Sequence, residues 1–217
     1  MSTRNETRTA VVAACRRLAH AGLVVGTAGN VSVRDGDLIT ITASGASFDS
    51  LTEEHVVVVD LEGRVVEGAY APTSEVLLHL GIYARYGAGA VVHTHAPAAT
   101  AVACVHDALP VVHYQLLSLG GELRVAPYRT FGTQELADAV VTALAGRNGA
   151  LMANHGAVTH AATLDKALEH MDVLEWASDV YGRAVAQGTP RVLSTEEQHA
   201  VIEAAINRSY GTPQEHA

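Results

Sequence analysis

The chain has 217 residues, 48% of them hydrophobic and 17% charged, a globular composition rather than a disordered one. Fourteen Lys and Arg face 23 Asp and Glu, a formal charge of −9, and no basic cluster is long enough to follow a nucleic-acid backbone, so no nucleic-acid partner is expected. No apolar run reaches spanning length, the N-terminus is polar, and the two cysteines, Cys15 and Cys104, lie outside any CxxC pair; no membrane, no leader and no disulfide framework are expected, and a reducing cytoplasmic setting fits best.

From the N-terminus, apolar positions at helical spacing predict an amphipathic helix over 3–21, stopped by Gly22. The glycine-rich turn from Gly26 to Asn30 leads into a hairpin, Val31–Arg34 with Leu38–Thr42, around Asp35-Gly36-Asp37. A second turn covers 43–47, a helical turn starts at Leu51, and another hairpin joins Val56–Asp60 to Val65–Val66. Thr73 or Ser74 is expected to cap a helix reaching about Tyr86, and Ala88–Thr94 reads as a buried strand. Pro97 opens a helix to about Val105, residues 110–132 mix loop and strand, and Thr133 caps a helix to about Leu144. Strands near 149–153 and 156–160 precede two helices, 163–187 and 195–208. Strands interleaved with helices predict an α/β or α+β fold, and the hairpins favour an antiparallel or mixed sheet. No repeat or linker divides the chain, so one domain over 1–217 is expected.

Three sets of residues could carry chemistry. His93 and His95 close an apolar strand, where residues i and i+2 share a face, so their imidazoles can converge on one ion. His155 is a third candidate ligand, and three histidines with an open position suit a catalytic metal. Spacing alone leaves the alternative open that these are scattered members of a set of twelve histidines. Glu75, expected in the first turn of its helix, reads either as an acid favoured by the helix dipole or as a general base or metal ligand. The turns containing Thr27, Gly29 and Asn30, Ser44 and Gly45, and Thr73 and Ser74 combine small polar side chains with backbone N–H groups. Together they could cradle a phosphate without fixed positive charge. Each is also ordinary turn composition. Lys166, the sole lysine, sits at a predicted helix start and reads as a solvated residue, which argues against imine chemistry.

Taken in order, GTAGNVSVR (26–34), TASG (42–45), LTEEH (51–55), PTSE (72–75), AVVHTHAPAATAV (90–102), HYQLLSLGG (113–121), APYRTFGT (126–133) and ANHG (153–156) resemble the class II aldolase/epimerase family over most of 10–185. The resemblance implies a single α/β domain with a central, mostly antiparallel sheet flanked by helices. It implies a homotetramer of fourfold symmetry with one Zn²⁺ per subunit at the subunit interfaces. His93, His95 and His155 would hold the zinc, with Glu75 as fourth ligand until substrate displaces it. Thr27, Gly29, Asn30, Ser44, Gly45, Thr73 and Ser74 fall where the family binds the phosphate of dihydroxyacetone phosphate. Tyr114 matches a tyrosine that acts in the neighbouring subunit's site, while Phe131 and Tyr210 match residues near the aldehyde.

The reaction so implied is reversible cleavage of L-fuculose 1-phosphate, or a related 5-deoxyketose 1-phosphate, into dihydroxyacetone phosphate and a short aldehyde. Glu75 and Tyr114 would be the catalytic residues. A sugar-phosphate 4-epimerase or dehydratase of the same fold is the alternative enzyme, and a non-catalytic binding module the alternative from another class.

Overall fold

The computed structural model describes residues 3–208. Helix α1 (Thr3–His20) is followed by the hairpin β1 (Asn30–Asp35) and β2 (Leu38–Thr42), then β3 (Val56–Asp60) and β4 (Val65–Glu67). Helix α2 (Val76–Tyr86), strand β5 (Ala90–Thr94) and helix α3 (Pro97–Val105) form the centre of the chain. The segment expected to mix loop and strand holds a 3-10 turn (Tyr114–Leu119) and β7 (Leu123–Ala126), which pairs with the short β6 (Ala108–Leu109). Helix α4 (Gln134–Ala143), the hairpin β8 (Gly149–Met152) and β9 (Gly156–Ala161), and helices α5 (Leu164–Gln187) and α6 (Thr195–Asn207) complete it.

The nine strands make one sheet in the order β4-β3-β2-β1-β5-β9-β8-β7-β6. Every pairing is antiparallel except β7 with β8, as the run of predicted hairpins required. Period-2 alternation divides the sheet's residues between two apolar layers. On one face Val31, Val92, Leu151 and Ala157 meet Val11, Cys15 and Leu18 of α1, Ala99 and Val102 of α3, and Leu168, Met171 and Leu174 of α5. On the other, Ile39, Ile41, Val57, Val91 and Val158 meet Leu78 and Ile82 of α2 and Leu136 and Val140 of α4. The fold is therefore a single central sheet with helices on both sides. Among the described residues no helix is long and apolar enough to cross a membrane.

Most boundaries shift by a residue or two from the sequence reading, and two of the shifts have a visible physical reason. Neither Thr73 nor Ser74 caps α2: the N-cap position is Glu75, with φ −98° and ψ 21°, and its side chain makes no capping bond. Thr73 Oγ1 instead accepts from the Glu75 N–H, so a tight turn, not a hydroxyl cap, opens the helix and leaves the carboxylate free to point elsewhere. Strand β5 begins at Ala90, not Ala88, because Gly89 runs hard against β9's far end. Its N–H donates to Ala161 O, and a Cβ at position 89 would lie 2.1 Å from Ala162 O.

That contact yields a prediction. Gly89→Ala should lower stability by roughly 1–3 kcal/mol through backbone overpacking, read from the midpoint of urea unfolding. A midpoint equal to that of the parent chain would contradict this register of β5 on β9.

Candidate active site and metal centre

Antiparallel register brings the first residues of the site together. Asn30 of β1 lies directly opposite His93 of β5, and Ser32 opposite Val91, so all four side chains face α2. His95 follows just beyond β5, with its Nε2 3.2 Å from His93 Nε2. His155 comes from the three-residue connection between β8 and β9, closed by the pair Met152 and Gly156. Asn154 turns that connection at φ 54°, a left-handed conformation that asparagine tolerates better than most residues. Gly156 then starts β9 so close to β5 that a Cβ would sit 2.3 Å from Thr94 O. That close approach carries His155 up to His95, ring centroids 4.9 Å apart.

Glu75 reaches in from the start of α2. Its Oε2 is 3.1 Å from His93 Nε2 and its Oε1 is 3.3 Å from His155 Nε2. Ligand atoms about 2.0–2.1 Å from a tetrahedral ion lie about 3.3–3.4 Å from one another, so these spacings are close to those of a metal's coordination shell. The three rings stand at 61°, 82° and 88° to each other, as radial ligands do, rather than stacking. His93 donates its Nδ1–H to Ala157 O at 2.9 Å, which leaves the Nε2 lone pair directed at the centre. Among the described residues Glu75 Oε1 is buried and accepts no hydrogen bond, facing only the His155 ring. A bound cation would satisfy it. His93, His95 and His155 thus form a cluster that could hold a metal ion, and the donor set fits a divalent one.

Charge and burial act against each other here. Burial alone would raise Glu75, but His93, His155 and the Asn30 amide outweigh it and hold the carboxyl well below its usual range. Burial would lower His93, and the adjacent Glu75 outweighs that and raises it. His95 and His155 are both lowered to about 4, by burial first and then by the charge on His93. His79, wholly enclosed, is lowered to about 3 by burial and His93.

Next to this cluster opens a cavity of about 270 Å³. Thr27, Gly29, Ser44, Gly45, Thr73 and Ser74 line it, together with Asn30, Glu75, His95, Phe131 and His155, so one pocket gathers most of the residues singled out in the sequence. Gly29 must be glycine: φ is +100° and a Cβ would lie 3.0 Å from His93 O. Not every expected donor is free. The N–H of Ser44 is spent on Ala71 O and that of Thr73 on Thr42 O, so those two residues offer hydroxyls instead. Asn30 borders the cavity, but its amide is engaged inward, donating to Glu75 Oε2 at 2.8 Å and taking a bond from His79 at 2.5 Å.

Tyr114 is not among the lining residues of its own chain. It stands 53% exposed on the 3-10 turn, its ring against His113. Phe131 is 64% exposed at the cavity's edge, and Tyr210 lies outside the described residues. Three lining residues went unnoticed in the sequence: Tyr128, Arg129 and Asn154. Tyr128 and Arg129 belong to the same segment as Phe131, and a basic residue within it was the available signal for a cation beside the phosphate cradle. Lys166 is a surface residue paired with Glu169, as expected.

Two outcomes follow. The isolated chain should bind one divalent ion per subunit in equilibrium dialysis, and His93→Ala or His155→Ala should weaken that binding by more than the roughly 10–100-fold typical of losing an outer-shell partner. In the metal-free protein, His79, His95 and His155 titrate near 3 to 4 when folded against an ordinary 6.5. Between those values the unfolded chain takes up protons that the folded one refuses, so stability falls as pH drops from 6.5 towards 4. His93, raised, acts in the opposite sense but is one group against three. The urea midpoint at pH 5 should lie below that at pH 7; equal midpoints would contradict the burial of these rings.

Residues 9–181 match the family described as Class II Aldolase and Adducin N-terminal domain. The chain is 39% identical over 201 residues to the L-fuculose phosphate aldolase of Escherichia coli, covering 92% of this chain and 93% of that protein. It is 38% identical over 198 residues to the 5-methylthioribulose-1-phosphate/5-deoxyribulose-1-phosphate aldolase of Rhodospirillum rubrum, covering 90% and 89%. A solved structure of L-fuculose 1-phosphate aldolase superposes with a TM-score of 0.88 at 36% identity, covering 92% of this chain and 95% of that one. The chain belongs to the class II aldolase and adducin N-terminal domain family, and its similarity to relatives named aldolases puts it with the carbon–carbon lyases of that family.

Proposed function

We propose that the protein is a zinc-dependent aldolase that cleaves L-fuculose 1-phosphate or a related 5-deoxyketose 1-phosphate reversibly into dihydroxyacetone phosphate and a short aldehyde. The observation that carries this reading is the convergence of three imidazoles and one buried carboxylate at 3.1–3.3 Å beside a pocket of small polar groups. Retro-aldol cleavage leaves negative charge on the oxygens of an enediolate. A zinc ion held by His93, His95 and His155 supplies Lewis-acid stabilisation of that charge. Phosphate is held by Thr27, Gly29, Ser44, Gly45, Thr73 and Ser74, with Arg129 at the rim adding one positive charge. Hydroxyls, the remaining N–H groups and that cation let a chain of charge −9 accept a dianion locally.

Glu75 is the fourth metal ligand of the resting site and, once substrate is bound, moves the proton at the enediolate carbon. In the fold it is held ionised, the form in which a carboxylate can take up a proton. Tyr114, exposed in its own chain, exchanges a proton with the aldehyde oxygen in a neighbouring subunit's site of the homotetramer we propose. Phe131 and Tyr210 flank the aldehyde. The domain takes in the whole of 1–217, and the absence of a CxxC pair fits work in the cytoplasm.

Incubating the purified chain with L-fuculose 1-phosphate and with 5-deoxyribulose 1-phosphate should release aldehyde, an activity lost on chelation and restored by Zn²⁺. Glu75→Gln should reduce turnover by about 10²–10⁴-fold with the assembly intact. Following the products by NMR separates the alternatives: an epimerase returns every carbon in one molecule. Turnover that survives complete metal removal would reject the proposal.

A further inference from the structure

Behind Glu75 lies a chain of buried polar groups that the proposed reaction does not use. Glu75, His79 and Tyr83 stand four residues apart, so they form one stripe along α2. Asn30 and Ser32 stand two apart, so they form one stripe along β1. The two stripes interlock. Tyr83 Oη is 2.6 Å from Ser32 Oγ, Ser32 Oγ is 2.6 Å from His79 Nδ1, His79 Nε2 is 2.5 Å from Asn30 Oδ1, and Asn30 Nδ2 is 2.8 Å from Glu75 Oε2. All five residues are buried.

The direction of every bond follows from its carboxylate end. A carboxylate only accepts, so the Asn30 amide must present its NH₂ to Glu75 and its carbonyl to His79. That carbonyl only accepts, so His79 must carry its proton on Nε2. Neutral imidazole then has a bare Nδ1, which takes the Ser32 hydroxyl proton, and Ser32 in turn accepts from Tyr83. Burial keeps His79 neutral, consistent with the single tautomer. Without His79 the Asn30 carbonyl would lose the donor that holds it, and the amide would be free to swing away from the carboxylate.

We infer that His79 is a positioning residue for Glu75: through the fixed Asn30 amide it pins Oε2 and leaves Oε1 as the oxygen free to act. Ser32 and Tyr83 complete the device by giving the bare Nδ1 of His79 a donor and that donor one of its own, so each linking polar atom is partnered. The inference rests on the reading of Glu75 as acid/base.

Its test has two arms. Long-range ¹H–¹⁵N correlation spectra of the full-length metal-free protein, assigned with the help of a His79 variant, should show His79 protonated on Nε2 and bare on Nδ1 at neutral pH. A proton on Nδ1 would reverse the chain and overturn the inference. In the metal-loaded enzyme, His79→Met should lower kcat by about 10–100-fold with KM within about threefold of wild type, since substrate still reaches the cradle. His79→Gln, whose amide N–H can donate to Asn30 Oδ1, should recover kcat to within about fivefold of wild type. Should His79→Met fail to fold, Ser32→Ala replaces it, with an expected loss in kcat of about 3–10-fold. Wild-type kcat in a folded His79→Met, or equal losses in the Met and Gln variants at full metal content, would overturn the positioning role. A wild-type enzyme with the expected tautomer but no aldol cleavage would instead sink the aldolase reading.

Discussion

A carboxylate withdrawn almost wholly from water, with one oxygen lacking a hydrogen-bond donor, is the constraint to which the centre of this fold responds. An unpaired buried charge costs several kcal/mol, so Glu75 is tolerable only where positive or donating groups converge on it. The architecture supplies them from three separate places: β1 brings Asn30, β5 brings His93, and the turn between β8 and β9 brings His155, while His95, just beyond β5, meets His93. These segments are neighbours because β1, β5, β9 and β8 are consecutive in the sheet. The carboxylate therefore links sheet order to site chemistry.

Much of this was legible in the chain. The apolar run over 88–94 predicted a buried strand, and the i, i+2 rule put His93 and His95 on one face. The antiparallel character of the sheet followed from its hairpins, and the turn residues expected around a phosphate do meet in one cavity. What escaped depends on contacts between elements rather than on periods within them. Glu-x₃-His-x₃-Tyr on α2 has the spacing of an ordinary core stripe, and His79 was read simply as a packed residue. Only the docking of α2 over β1 turns it into a link between Ser32 and Asn30. The same holds for Asn30, read with the phosphate turns because it ends one, yet facing inward across the sheet from His93. Tyr114 is a further instance, since its own chain leaves it on the surface.

Glycine positions show how backbone contacts substitute for specific side chains. Gly29, Gly89 and Gly156 each abut a carbonyl at a distance no Cβ could share comfortably. Gly29 and Gly89 immediately precede β1 and β5, and Gly156 begins β9, the strands around the site. Removing the side chains lets those backbones approach closely enough for short side chains such as that of Asn30, and short connections such as 153–155, to reach a common centre. Close packing is what makes the ligand spacing a fixed property rather than an average over rotamers.

The two oxygens of Glu75 are not equivalent, and that asymmetry bears on how one residue serves both as ligand and as base in the proposed reaction. Oε2 accepts from Asn30, at the end of a chain of donors running back to Tyr83, and its position is therefore set by the core. Oε1 faces His155 and has no donor of its own. With a metal held by His93, His95 and His155, Oε1 would be the oxygen able to change partners without breaking the buried chain. The donor from Asn30 also favours the ionised carboxylate. Anchoring and exchange of partners would thereby fall to two different atoms of one side chain, a division imposed by buried residues of β1 and α2.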